Sequence, residues 1–376
     1  MNSRKKIAFI YLDEKHHLYH FISVAIALSK VNDVHILTYK GDHQFLHNTL
    51  NRLDGVNVIV EELPTLYFRA LTDRLKNRKL PRKGFWLKKN KDYLINYFDA
   101  IIVTDYIHKY LLKARKNAIS PKIIKFPHGT PGRAYWHNEK LKDFDAQLVL
   151  GEFQHNQLDH LNLLGPNPFK AGYVKMDAVP LMKEKDLFKN ERPTVIYNPH
   201  FDPEFSSWNK VGMEVLEYFY NQETYNLIFA PHLHLFDPQK SGEKAENIPQ
   251  KYLDSDKIII DFGGEKSVNM LYINSADIYL GDVSSQVYEF IIKPRPAIFL
   301  NTRNINYKND IHYRFWKTGE VINNISGLNK ALSNTSRLFE KYKPVQKKIT
   351  AENYYQYEGK TASETAAEQI NNFLSR

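Results

Sequence analysis

Three loops hold residue types suited to binding phosphate and moving protons. In Phe126-Pro127-His128-Gly129-Thr130-Pro131-Gly132-Arg133 a histidine closes an apolar run and turn residues follow it. Imidazole titrates near neutrality, so His128 in such a turn is placed to take a proton from an attacking hydroxyl. A histidine hydrogen-bonded in an ordinary turn leaves the same signature. In Ala230-Pro231-His232-Leu233-His234 the imidazoles of His232 and His234 stand two residues apart. On extended chain they point the same way, as a phosphate clamp or as two ligands of a metal. No third ligand follows at a convincing spacing, and no metal is expected. In Gly281-Asp282-Val283-Ser284-Ser285 an apolar run meets the start of a helical pattern. Ser284 suits an N-cap, and the first N–H groups of the helix, with the hydroxyls of Ser284 and Ser285, would make an anion site. An ordinary helix cap reads identically.

A fourth cluster, Asp13-Glu14-Lys15-His16-His17-Leu18-Tyr19-His20, follows the first apolar run. His16 and His20 have a helical metal-ligand spacing. Lining of a ligand cleft, with Asp13 or His17 in contact, is the favoured reading beside a helix start that merely places acids at its positive end. The pairs Asp143/Asp145 and Asp254/Asp256 are read as surface charge.

Short apolar runs alternating with helical patterns must position these loops, which points to βαβ units. Strands are expected at 7–12, 34–38, 56–60, 100–104, 122–126, 146–150 and 170–174. After a charged interval at 183–192 the rhythm restarts, with strands at 194–197, 227–230, 258–261, 277–280 and 297–300. Helices are expected at 17–30, 210–220, 266–274, 285–292, 326–342 and 361–374. Little hydrophobic alternation within the runs indicates sheets covered on both faces. The fold class is α/β, with two Rossmann-like domains (1–188 and 189–350) facing a cleft and a C-terminal helical tail (351–376). Periplasmic-binding-like and kinase-like two-domain folds compete on pattern alone.

The chain has 376 residues, no cysteine and a formal net charge of +10. Disulfides, thiolate nucleophiles and Cys-bound zinc are excluded. No apolar run is long enough for a membrane span, and the N-terminus has no secretory pattern. Between Arg69 and Asp92, ten basic residues face two acids, so this stretch accounts for most of the net charge. With Phe85-Trp86-Leu87 read as an apolar wedge, segment 69–92 suits an anionic membrane surface; a solvated basic surface is the alternative. No nucleic-acid-binding signature accompanies the charge.

Together the loops resemble the CDP-glycerol glycerophosphotransferase family, the GT-B polymerases and primases of teichoic acids and related capsules. His128-Gly129-Thr130-Pro131 is similar to that family's HGTP loop, Pro231-His232 to the core of its second motif, and Asp282-Val283-Ser284-Ser285 to its third. Ala171 to Asp177 resembles its hinge stretch, bringing in Lys175. Ala230 and Val283 stand where the family has Arg and Tyr, so His200 is expected to supply the group that Arg gives elsewhere. The resemblance implies that residues 1–188 bind the acceptor and 189–350 the donor. It implies a transferase, without cofactor, moving glycerol phosphate or a sugar from a nucleotide-activated donor such as CDP-glycerol to a polysaccharide or lipid-linked hydroxyl. His128 and His232 would be catalytic. Gly281, Asp282, Ser284, Ser285 and His234 would hold the donor phosphates, and Gly129, Thr130, Arg133, His200, Asp13, His17 and Lys175 would line the site. A cytoplasmic protein held peripherally at the inner membrane face is expected. A nucleotide-sugar glycosyltransferase of capsule or lipopolysaccharide synthesis is the first rival, a UDP-sugar 2-epimerase the second.

Overall fold

The computed structural model describes residues 4–76, 78, 80–130, 138–179, 187–237, 240 and 242–376. Arg133 lies outside the described residues. The chain divides into two compact units. The first takes in residues 4–129, 138–179 and 352–376; the second takes in Thr130 and 187–351.

In the first unit a seven-stranded parallel sheet comprises β1 (Lys6–Ile10), β2 (Asp33–Tyr39), β3 (Ile59–Leu63), β4 (Ala100–Val103), β5 (Lys122–Lys125), β6 (Ala146–Val149) and β7 (Pro168–Lys170), in the order β3-β2-β1-β4-β5-β6-β7. In the second, β8 (Thr194–Asn198), β9 (Asn226–Phe229), β10 (Ile258–Ile260), β11 (Ile278–Gly281), β12 (Ala297–Leu300) and β13 (Glu320–Ile322) run in the order β10-β9-β8-β11-β12-β13, also parallel. Both are doubly wound. Their strand order reverses beside the central strand, between β1 and β4 in one unit and between β8 and β11 in the other. Parallel α/β sheets bind ligands at that reversal, beyond the carboxyl ends of the strands. Every residue of β4, β6, β8, β9, β11 and β12 is buried, which is why these runs lack alternation.

Several boundaries differ from the sequence reading. The run expected at 56–60 pairs only from Ile59, opposite His35, because Gly55 to Val58 makes a turn that leaves Val56 exposed. The strand expected at 170–174 is instead Pro168–Lys170. It stops before Gly172, whose φ of +98° suits glycine, and a Cβ there would meet the Tyr355 carbonyl oxygen at 2.4 Å. The helix expected at 17–30 is a 3₁₀ segment, Lys15–His20, followed by Ile22–Ser29, with Phe21 non-helical between them. The helix expected at 266–274 breaks at Met270, in the left-handed region.

The last helix, Ala362–Leu374, opens on a Thr361/Glu364 capping box and returns to the first unit. Ser363 Oγ donates to Asp177 Oδ2 at 2.6 Å, and Asn32 Nδ2 to Asn371 Oδ1 at 2.8 Å.

The expected wedge at 85–87 is corrected. Trp86 and Leu87 are buried on helix Lys83–Tyr97, and Trp86 Nε1 donates to the Leu63 carbonyl at 3.0 Å. Phe85 lies under the guanidinium groups of Arg69 and Arg82. Apolar exposure falls on the preceding helix, Tyr67–Leu75, where Tyr67, Phe68, Leu71 and Leu75 are all exposed. Among the described residues no helix is long and apolar enough to cross a membrane.

Candidate functional site

In the first unit the loops after β1, β4 and β5 converge on His128. Its Nδ1 lies 2.8 Å from the Thr104 carbonyl oxygen, which can only accept, so Nδ1 carries the proton and Nε2 is left as the basic nitrogen. The His17 ring stacks on it, centroids 4.5 Å apart, with His17 Nδ1 3.1 Å from Thr104 Oγ1. Beside them Lys83 bridges two carboxylates, bonding Asp13 Oδ1 and, at 2.7 Å, Asp105 Oδ2. Lys125, buried at the end of β5, donates to the carbonyls of Thr104 (2.8 Å) and Phe126 (2.6 Å).

The electrostatics follow from burial. Burial lowers the pKa of His128, and the nearby Lys125 lowers it further, so its neutral form dominates near pH 7. Burial and the surrounding imidazoles hold His17 well below the usual histidine range. Burial also lowers Lys125 to about 7. Asp13 is raised by burial, against the pull of Lys83. Lys83 is raised, because the two carboxylates outweigh its desolvation.

The structure therefore brings Asp13, His17 and His128 together. Lys175 is buried at the start of helix Lys175–Ala178 and acts electrostatically on the buried His20. Thr104, Asp105, Lys83 and Lys125 were missed in the sequence. Thr104 and Asp105 follow the strand beside the sheet's reversal point, which is the signal that could have found them; Lys83 was hidden in the basic stretch.

In the second unit the loops after β8, β9 and β11 converge. Asp282 is buried and organises them. Its Oδ1 accepts from the N–H groups of His200 (2.9 Å) and Val283 (2.6 Å), and its Oδ2 from the Ser207 N–H (2.5 Å) and hydroxyl (2.7 Å). Burial raises this carboxyl to about 6 against those four donors. Its oxygens thus hold the loops rather than face a phosphate, which the charge of a carboxylate would repel. A Cβ at Gly281 would press to 2.7 Å on the Tyr279 ring, so that position serves packing.

His232 and His234 do not lie on extended chain as expected. The backbone turns after His232, whose carbonyl accepts from the Leu235 N–H at 2.8 Å, and the turn brings the two rings to 5.2 Å. His232 Nδ1 accepts from the His234 N–H at 3.2 Å, and His200 Nδ1 from the Asp202 N–H at 3.0 Å. In both neutral rings the proton must therefore sit on Nε2, which becomes a donor. That is the tautomer opposite to that of His128. The two rings lie 5.5 Å apart.

The helix after β11 is only Gln286–Phe290, with Ser285 rather than Ser284 at its cap position. Ser284 is buried, its oxygen accepting from the Gln286 N–H at 3.3 Å. Ser285 is half-buried, and its carbonyl accepts from the Thr130 hydroxyl at 3.1 Å. Among the described residues no group of three or more His, Asp or Glu side chains is set to hold a metal.

The family described as CDP-Glycerol:Poly(glycerophosphate) glycerophosphotransferase matches residues 184–372, half of the chain. The chain belongs to this family. It is similar to the minor teichoic acid biosynthesis protein GgaB of Bacillus subtilis (strain 168), 29% identical over 169 residues. That match covers 42% of this chain and 17% of GgaB, so the chain spans about a sixth of that relative's length. Among solved structures, the wall teichoic acid polymerase TagF superposes over 99% of this chain and 89% of its own, with a TM-score of 0.63 at 14% identity. A second TagF structure, soaked with CDPG, gives 0.60 at 13% identity over the same shares. The UDP-GlcNAc 2-epimerase from Neisseria meningitidis, bound to UDP-GlcNAc, gives 0.56 at 13% identity over 98% of this chain and 99% of that one. These likenesses establish the two-Rossmann-unit, GT-B-like fold.

Proposed function

We propose that this glycerophosphotransferase-family chain transfers glycerol phosphate from CDP-glycerol to a hydroxyl of a growing, lipid-linked cell-surface polymer of the teichoic acid or capsule type. The opposed histidine tautomers carry the reading. His128, protonated on Nδ1 by the demand of the Thr104 carbonyl, offers Nε2 as a base. His200 and His232, with Nδ1 occupied, offer Nε2–H groups to the donor's pyrophosphate.

In the proposed step the acceptor O–H gives its proton to His128 Nε2 as its oxygen bonds to the β-phosphorus of CDP-glycerol. The bond from that phosphorus to the CMP oxygen breaks, and CMP leaves with the electron pair. The His232 and His200 donors and the Ser285 hydroxyl offset the charge that gathers on the departing phosphate.

We also assign helix Tyr67–Leu75 to an anionic membrane at the inner face of the cytoplasmic membrane. Tyr67 (83% exposed), Phe68 (78%), Leu71 (49%) and Leu75 (78%) share one helical stripe. Arg69 and Lys76 are exposed around it. Lys83 and Arg82 do not join them, being paired with Asp13, Asp105 and Asp73.

A second reading, a nucleotide-sugar transferase, is favoured by one observation: buried Ala230 stands at the position of the family's Arg. Thermal-shift titration with CDP-glycerol, CMP, UDP and UDP-sugars separates the two, since ligand binding stabilises the native state by mass action. A response strongest with CDP-glycerol is expected; one confined to uridine nucleotides overturns the glycerophosphate reading.

A further inference from the structure

Next to His128 the first unit has a partly open cavity of about 50 Å³, room for more than a single water. Its walls are Pro127, Leu141 and Leu148 on the apolar side, with Tyr106, Lys125 and Gln147 as polar lining. Lys125 is 4% exposed and Gln147 is 2% exposed. Two backbone carbonyls accept from the Lys125 ammonium, which also stands 4.9 Å from the centroid of the Tyr106 ring at the cavity wall. The Gln147 amide nitrogen is buried without a partner. Native proteins rarely leave such a donor unsatisfied, and an amide N–H₂ with a lysine ammonium beside one largely apolar cavity matches an anion that accepts from both.

Three features make the acceptor the source of that anion. The described residues that line the cavity all belong to the first unit, whereas the proposed donor-binding histidines belong to the second. His128 and Gly129 form part of its wall, so a group seated there lies beside the base. Finally, a polymer extended by glycerol phosphate units carries a phosphodiester next to each terminal glycerol. We propose, building on the glycerophosphate reading, that this cavity is an acceptor subsite in which Lys125 and Gln147 bind the acceptor's last phosphodiester and so present its terminal hydroxyl to His128. The subsite would make the enzyme an extender of chains already bearing a phosphodiester, with a neutral polyol end a poor acceptor.

The test is calorimetric titration of the full chain with glycerophosphoglycerol, a phosphodiester monoanion with free hydroxyls, and with glycerol as the neutral control. Saturable binding of the diester is expected, with glycerol at least tenfold weaker. Lys125→Met and Gln147→Leu should each weaken the diester at least tenfold while leaving CDP-glycerol affinity within twofold. His232→Ala should leave the diester unaffected. If Lys125→Met lacks a cooperative melting transition, Gln147→Leu alone decides. Diester binding that is absent, equal to glycerol, unchanged in the decisive variant, or lost in His232→Ala overturns the subsite. Failure of the underlying reading looks different: the unmodified chain would not bind CDP-glycerol at all.

Discussion

His17 lies face to face with His128, ring planes 21° from parallel and centroids 4.5 Å apart. Two buried imidazoles at that separation cannot both be charged without strong repulsion, and His17 is the one held furthest from protonation. In the proposed reaction this stack leaves the proton to His128, whose tautomer Thr104 fixes. On that proposal His17 is a positioning residue.

The pH dependence follows from the lowered pKa of His128. A general base works only when unprotonated, so turnover should fall on the acid side through a pKa below 6.5, histidine's ordinary value. Lys125 is among the causes of that lowering, so Lys125→Met should move the acid limb of the kcat profile upward. A limb that stays in place would separate Lys125 from His128 electrostatically.

Removing the cation that bridges Asp13 and Asp105 should destabilise the first unit. Lys83→Met leaves Asp13, whose side chain is 8% exposed, without its partner. Breaking a fully buried pair costs about 3–5 kcal/mol, and because Lys83 is a quarter exposed the expected loss is about 2–3 kcal/mol at pH 7.5. Asp13 is already raised by burial and would rise further. A carboxyl raised above its unfolded pKa contributes stability at low pH that is lost as pH rises through the folded pKa. Urea unfolding at pH 5 should therefore show a smaller deficit than at pH 7.5; an equal deficit would mean the loss is one of packing.

On the donor side, His232→Ala removes an Nε2–H donor and the acceptor for the His234 N–H. CDP-glycerol affinity should weaken about tenfold or more, as for a lost hydrogen bond to a charged group at about 1.5–3 kcal/mol. Asp282→Asn should instead lower the melting temperature, since four donors converge on its carboxylate. Donor binding intact in His232→Ala would move the pyrophosphate elsewhere.

Membrane contact is tested on helix Tyr67–Leu75. Phe68→Asp with Leu71→Asp should abolish co-sedimentation with anionic liposomes while sparing the melting temperature, because both side chains are exposed. Added salt should weaken binding of the unmodified chain. Binding unchanged by the substitutions would remove this helix from the interface.

Strand rhythm made both parallel sheets legible in the sequence, because strands covered on both faces read as uninterrupted apolar runs. His128, His232 and the Gly281–Ser285 loop were legible because each closes such a run. What escaped depends on distant partners. Lys83 reads as one more surface cation until helix Lys83–Tyr97 is laid beside the loops after β1 and β4. Trp86 and Leu87 read as an exposed wedge because their burial is set by contacts with Leu63 and the sheet. The final helix announces itself by composition and its capping box, but not by the asparagine and serine bonds that tie it to the first unit. Nor does a His-x-His pair reveal that its backbone turns.

The central claim, glycerophosphate transfer with His128 as base, is tested most directly by phosphorus NMR. The full chain is followed with CDP-glycerol and a lipid-linked glycerophosphate primer, beside His128→Asn. The unmodified chain should release one CMP for each new phosphodiester. His128→Asn should be slower by about 10²- to 10⁴-fold with CDP-glycerol affinity retained. Equal rates in the two proteins, or CDP-glycerol left intact while a nucleotide sugar is consumed, would contradict the account.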